Sequence, residues 1–262
     1  MRTALLAGKP RVITGWRRPT EPSRLPLHAP PLVGLPKQSA VPQIPTAQDQ
    51  GTYGRCAGET FREVMTGLAL RDGLGELLYS ANYPYFWARA YDGSPADQDT
   101  GTFVETVFTV GIRRGNCRKQ TWDDDTSIFD QPNAVADLEA ATHKTLLAFS
   151  LPNLITMKAS IVAGFSFAFG FDVPRQMMTI ECAQSGIVEY PDDEQNGWDG
   201  GGHAVSAWGY DDDVKIGGFY GAFLCLNHWS KDWGINGRFW LPYHFFETGH
   251  ATDAHTLRLV QE

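Results

Sequence analysis

Cysteine is scarce, with four in 262 residues. That count excludes a disulfide scaffold. If one thiol stays free as a nucleophile, the other three cannot all pair. Cys117, Cys182 and Cys225 therefore read as buried thiols, which suits a cytoplasmic or similarly reducing setting. Long apolar runs are also absent. The longest, Ser160 to Phe171, is broken by Gly164 and Gly170 and reads as a buried strand, too short to cross a bilayer. Near the N-terminus only Ala4 to Ala7 is apolar before Gly8-Lys9-Pro10, too little for a secretory signal. There is no phosphate-binding loop and no internal repeat. The acidic clusters Asp123-Asp124-Asp125, Asp192-Asp193-Glu194 and Asp211-Asp212-Asp213 lack the alternation of a cation loop and read as solvated. His250 and His255 stand five apart, off any common helix face, so neither a metal nor a cofactor is expected.

Proline is sparse outside the first 45 residues, which hold nine of the sixteen. The same segment carries seven Lys or Arg and one acid, Glu21, a net charge of +6. The chain as a whole is −8, which leaves −14 on residues 46–262. Residues 1–45 thus read as a basic, proline-rich arm, extended and without regular structure. Opposite charge favours docking of the arm, on its own domain or on a neighbouring chain. The arm lacks interleaved aromatics, so neither nucleic acid nor membrane is expected as a partner.

Residues 46–262 are globular in composition, with the whole chain 42% apolar and 20% charged. Residues 46–160 read as mainly helical. Glu59–Leu70 has one apolar face, Phe61, Val64, Met65 and Leu68. Further helices are expected over 74–91, interrupted by Pro84, and over 99–114, 133–148 and 154–163. From Gly164 the pattern changes to strands, over 165–171, 202–210, 220–227 and 237–241. The expected class is α+β: a helical lobe followed by a β lobe over about 161–262, with the active site in the cleft between them.

Three stretches carry chemistry. Gln50-Gly51-Thr52-Tyr53-Gly54-Arg55-Cys56 runs into the first helix and puts Cys56 at its N-terminus, where the dipole and free N–H groups favour a thiolate. Gly202-His203-Ala204-Val205 sets a histidine at the mouth of a strand, and Asn227 ends another. Singly, these are a buried thiol, a satisfied histidine and a turn former.

Together and in this order they resemble the papain-like cysteine peptidases. The resemblance rests on Asp49-Gln50-Gly51 through Gly54-Arg55-Cys56, on Gly202-His203-Ala204-Val205 through Gly209-Tyr210, and on Asn227-His228-Trp229-Ser230 with Trp233-Gly234 and Gly237-Arg238-Phe239. Tyr85 to Arg89, Asp99-Thr100-Gly101 and Gly115-Asn116-Cys117 add likeness to the bacterial branch. It runs from about Val41 to the C-terminus. It implies a two-lobe fold, with a helical lobe bearing the nucleophile and a β-barrel-like lobe bearing His and Asn. It implies an endopeptidase working through an acyl-thioester on Cys56, with peptide or protein substrates. In that scheme His203 forms an imidazolium beside the thiolate, Asn227 orients it, Trp229 shields their hydrogen bond and Gln50 offers its amide to the oxyanion. The arm is too short and too poor in helical period to be the family's helical pro-segment.

The departures are Arg55 where serine is usual, Ala57 for an aromatic, His228 for serine and Ser230 for glycine. Arg55 would lower the thiol pKa or reach into the cleft. The alternative reading is a papain-like domain kept as a structural or binding subunit of a large assembly such as a virion.

Overall fold

The computed structural model describes residues 3–6, 9–12, 15–28, 34–122, 126–193 and 195–260. The acidic triplet at 123–125 and Glu194 lie outside them.

The chain opens with two short strands, β1 (Thr3–Leu6) and β2 (Lys9–Val12), paired antiparallel. This corrects the expectation of an arm without regular structure. A two-stranded ribbon leaves half its backbone groups unpaired, so Pro10 in β2 is tolerated. A third strand, β3 (Gln38–Ala40), pairs antiparallel with β6 (Trp198–Ile216). The end of the basic segment is therefore built into the main sheet.

Helix α1 (Cys56–Arg71) is the axis of the helical region. Its apolar face packs on α3 (Val104–Arg113), with Phe61 edge-on to Phe108 at 5.2 Å. The expectation of a single apolar face is too narrow, because fourteen of its sixteen residues are buried, Glu59, Arg62 and Glu63 among them. The polar side lies against β6. Ser206 Oγ donates to Glu63 at 2.6 Å, and Trp208 Nε1 donates to Ser206 Oγ at 2.7 Å. Burial pushes the Glu63 carboxyl up to about 8, so it stays largely protonated at neutral pH. Gly67 lies under the Trp208 ring, where any Cβ would come within 2.2 Å of the indole.

Helix α2 (Asn82–Tyr91) starts later than expected and carries Pro84 in its first turn, where no N–H is needed. The long helix expected over 133–148 is instead α4 (Ala134–Ala140) followed by a strand, β4 (Thr145–Ser150). Val135 and Leu138 face solvent, and Ala136 and Ala140 are buried. Leu146 and Leu147 belong to a strand because β4 pairs with β9 (Ala251–Val260), a tertiary partner that overrides local helical period. Helix α5 (Leu154–Val162) is closed at its start by a capping box between Asn153 and Thr156 and at its end by Gly164 at φ +82°. It takes the first residues of the apolar run, so β5 (Phe167–Pro174) begins only at Phe167. A short helix, α6 (Ile180–Ser185), precedes β6, and α7 (His244–Glu247) precedes β9.

With β7 (Phe219–Leu226) and β8 (Arg238–Pro242), the main sheet runs β4-β9-β5-β6-β7-β8, β3 adding to β6. The α+β class expected from the sequence holds, with the sheet open and not closed into a barrel. Closure would require β4 to pair with β8. Instead Leu27 bridges to Ser150 at one edge and Ile187 to Trp240 at the other. Phe167, Phe169, Phe171, Phe223 and Phe239 form the core of the sheet region.

Candidate active site

Cys56 is the first residue of α1, and the preceding loop is tied down at both ends. Gly54 N–H donates to Asp99 at 2.8 Å, and the other oxygen of Asp99 takes the Tyr85 hydroxyl of α2. Upstream, Gln50 N–H donates to His228 O at 2.9 Å and Ser230 N–H to Gln48 O at 3.0 Å. The loop is thus sewn to the turn after β7. Neither latch is visible in sequence spacing, although Asp99-Thr100-Gly101 is itself part of the resemblance.

His203 lies on β6 and Asn227 just beyond β7, and neighbouring strands bring them together. Asn227 Oδ1 lies 3.0 Å from His203 Nε2 and also accepts the His228 backbone N–H at 3.0 Å. The second bond fixes the amide with its oxygen toward the imidazole. An oxygen only accepts, so His203 carries its proton on Nε2 and Nδ1 is its basic nitrogen. Nδ1 has no hydrogen-bond partner among the described residues. The Trp229 ring lies 4.9 Å from the imidazole and is buried, a position from which it keeps water off the His203–Asn227 bond.

The Cys56 sulfur meets the backbone N–H groups of Ala57 and of Ala204, the residue after His203. Those donors favour a thiolate, but burial outweighs them and pushes the thiol up to about 12, with Asp99 and Glu59 adding to the rise. Burial likewise lowers His203 to about 4 despite its bond to Asn227. The expected thiolate–imidazolium pair is thus not the state of this site as it stands. Both groups are neutral because the cleft is covered.

The cover is the arm. Gly15 lies over Cys56, where a Cβ would be 2.7 Å from Cys56 Sγ and 2.4 Å from Gly54 O. Thr102 N–H donates to Gly15 O at 3.0 Å, Arg17 N–H to Thr102 O at 3.0 Å, and Trp16 N–H to Gly202 O at 3.1 Å. The segment is held on both walls as a bound peptide would be. Trp16 is buried between Gly170 and Gly202, and its Nε1 donates to Asp253 at 3.1 Å. Asp253 also caps α3, accepting from Val104 N–H at 2.8 Å, and lies 2.7 Å from His255 Nε2. Glu105, Asp253 and His255 are the described residues whose ligating atoms crowd within 4.8 Å, and Asp253 is already occupied by these donors. Arg17 lies 4.6 Å above the Phe103 ring, and Arg18 pairs with Asp172, so the arm's cations meet the body's carboxylates.

Gln50 is fully buried. Its Nε2 donates one proton to Tyr53 O at 2.9 Å, which leaves a second for another acceptor, and its Oε1 lies 2.5 Å from His228 Nδ1. Arg55 takes neither of its expected roles. It is buried, donating to Glu59 at 2.9 Å and to Asn82 at 2.9 Å, so its charge is neutralised inside the helical region. Ser230, where the resembling family has glycine, lies in the left-handed region at φ +77°. A side chain there costs about 1 kcal/mol. Ser230→Gly is expected to stabilise the protein by roughly 0.5–1 kcal/mol, part of the relief being offset by glycine's freer unfolded chain. A urea midpoint that fails to rise at constant slope would contradict this. None of the four cysteines is in a disulfide, and all are buried.

Comparison with proteins of known structure defines the class. The fold is that of the papain-like cysteine proteases. It matches xylellain, a cysteine protease from Xylella fastidiosa, with a TM-score of 0.84 at 20% identity over 98% of both chains. It matches procathepsin B of Trypanosoma congolense with a TM-score of 0.73 at 16% identity, covering 94% of this chain and 87% of that one. Procathepsin L 3 of the Tenebrio molitor larval midgut gives 0.69 at 16% identity, over 90% and 74%. By sequence the chain is 27% identical over 222 residues to an uncharacterized peptidase C1-like protein of Acanthamoeba polyphaga mimivirus, covering 80% of this chain and 68% of that protein. No family model matches. No helix among the described residues is long and apolar enough to cross a membrane.

Proposed function

We propose that the chain is a cysteine endopeptidase whose cleft is blocked by its own N-terminal arm. The observation that carries the reading is the bonded pair of His203 and Asn227, with Nδ1 left without a partner, next to Cys56, whose sulfur meets the N–H of Ala204. In the open site the Cys56 thiol gives its proton to His203 Nδ1. The thiolate attacks the peptide carbonyl carbon, and the negative oxygen is received by Gln50 Nε2–H and the Cys56 backbone N–H. The C–N bond breaks as His203 returns the proton to the leaving amine. Water, deprotonated by His203, then cleaves the thioester and restores the thiol.

Gly15–Arg17 occupies the path a substrate would take, but not as a substrate. Its Gly15 oxygen is held by Thr102 N–H, while the Gln50 amide donates to Tyr53 O. The partner of the arm is on this reading its own domain. Four thiols outside any disulfide support a reducing setting, either the cytoplasm or the interior of a large assembly. The comparisons do not favour the alternative of a structural subunit.

The test is selective alkylation. In the chain carrying Trp16→Ala, which loosens the arm, iodoacetamide is expected to modify Cys56 at least about tenfold faster than Cys117, Cys182 or Cys225. Equal rates at all four, read by peptide mass mapping, would sink the reading.

A further inference from the structure

His228 stands where the resembling family has serine, and it is fully buried at the centre of the site. Its ring lies 4.8 Å from that of His203. Nδ1 is 2.5 Å from Gln50 Oε1, and Nε2 is 2.9 Å from Ala204 O and 3.4 Å from Thr60 Oγ1. Thr60 spends its own proton on Cys56 O at 2.9 Å. Both ring nitrogens face oxygens, but burial holds the imidazole neutral with a single N–H, and the shorter contact places that proton on Nδ1 toward Gln50. The Gln50 amide cannot be reversed, because its oxygen would then face Tyr53 O.

We infer that His228 is a positioning residue for the oxyanion donor: it holds the Gln50 carboxamide oxygen inward and so turns the amide N–H₂ toward the cleft. The inference rests on the peptidase reading of the site. A serine hydroxyl is too short to span from the turn after β7 to both Gln50 and Ala204. The histidine reaches both, giving its proton to Gln50 and packing Nε2 against the β6 backbone beside His203. The bond to Gln50 determines the aim of the amide. The contact of Nε2 with Ala204 O packs the ring against β6 and does not touch the donor.

The two contacts are separable by substitution. Asparagine places an N–H₂ where Nδ1 lies, and glutamine places one near Nε2. In the Trp16→Ala chain, His228→Gln is expected to lower kcat for peptide hydrolysis by about 10² with KM within about twofold, the loss typical of one oxyanion donor. His228→Asn is expected to stay within about tenfold of the parent. Alkylation of Cys56 by iodoacetamide, a displacement that forms no oxyanion, should keep its rate in both variants. Adding His228→Gln to Gln50→Ala should cost less than about threefold more. Equal losses in the two variants, a parallel fall in alkylation, or additive losses in the double variant would overturn the inference and assign His228 a merely structural role. A parent chain with neither turnover nor alkylation at Cys56 would instead overturn the peptidase reading itself.

Discussion

Cys56→Ala is expected to abolish peptide hydrolysis, by at least about 10⁴ in kcat/KM, while leaving the fold intact. The loss follows from chemistry. Without Sγ there is no covalent intermediate, and neither His203 nor Gln50 supplies a second nucleophile. The structural cost is small because Cys56 opens α1, where alanine suits the helix, and the vacated volume is one sulfur atom. Thermal unfolding should shift by no more than a few degrees. Residual turnover above about 1% of the parent's, in a variant of unchanged melting behaviour, would refute the assignment of the nucleophile.

Removal of residues 1–34 is expected to raise peptidase activity by about 10² or more. The cut should stop there, because Lys37 O accepts from Asp212 N–H, Pro36 O accepts from Tyr210, and β3 completes the sheet on β6. Truncation takes away the Gly15 cover, the Trp16 plug and the Arg18–Asp172 pair together. In the 262-residue chain the same contact makes activity depend on pH. Docking of the arm holds His203 neutral, lowered to about 4 from an ordinary value near 6.5. Near neutral pH the open ion pair and the covered neutral pair hold the same single proton between Cys56 and His203, and docking keeps its full strength. As pH falls from 6.5 toward 4, only the open site binds a second proton, so docking weakens. On the alkaline side the covered thiol stays protonated to about 12 while an open thiol ionises near 9 or below, so docking weakens again as pH rises. Cys56 alkylation in the intact chain should therefore accelerate at both extremes relative to the truncated chain, by up to about 10² toward pH 4. A constant ratio of the two rates from pH 4 to 10 would contradict the coupling. Cys56→Ala offers a control: it should remove the alkaline limb of arm release and keep the acid limb.

The legible part of the site was what short motifs carry. Cys56 at a helix start, His203 on a strand and Asn227 at the end of the next are local statements, and local residues suffice for them: glycines before the helix, alternation along β6 and β7, a turn after Asn227. The helices at 56–71, 104–113 and 154–162 were readable for the same reason. What failed was set by distant partners. β4 looked helical until β9 paired with it, and β9 itself was missed, its alternation broken by Asp253 at φ +61° and by an irregular register with β5. Barrel closure was a question of which strands meet at the edges, and no strand's own residues answer it.

The sequence by itself determined the class of chemistry, because a nucleophile, a base and an orienting amide must be particular residue types in particular backbone settings. Tertiary structure alone decided their state. Whether Cys56 and His203 are charged depends on water, and both are buried, with Gly15, some forty residues earlier in the chain, against the Cys56 sulfur. Arg55 stands next to Cys56 in sequence yet spends its charge on Glu59, one helical turn away and turned inward. His228 sits beside Asn227 yet reaches Gln50, 178 positions earlier. Charge and hydrogen bonding act through space over a few ångströms, and only the folded chain sets which groups come that close.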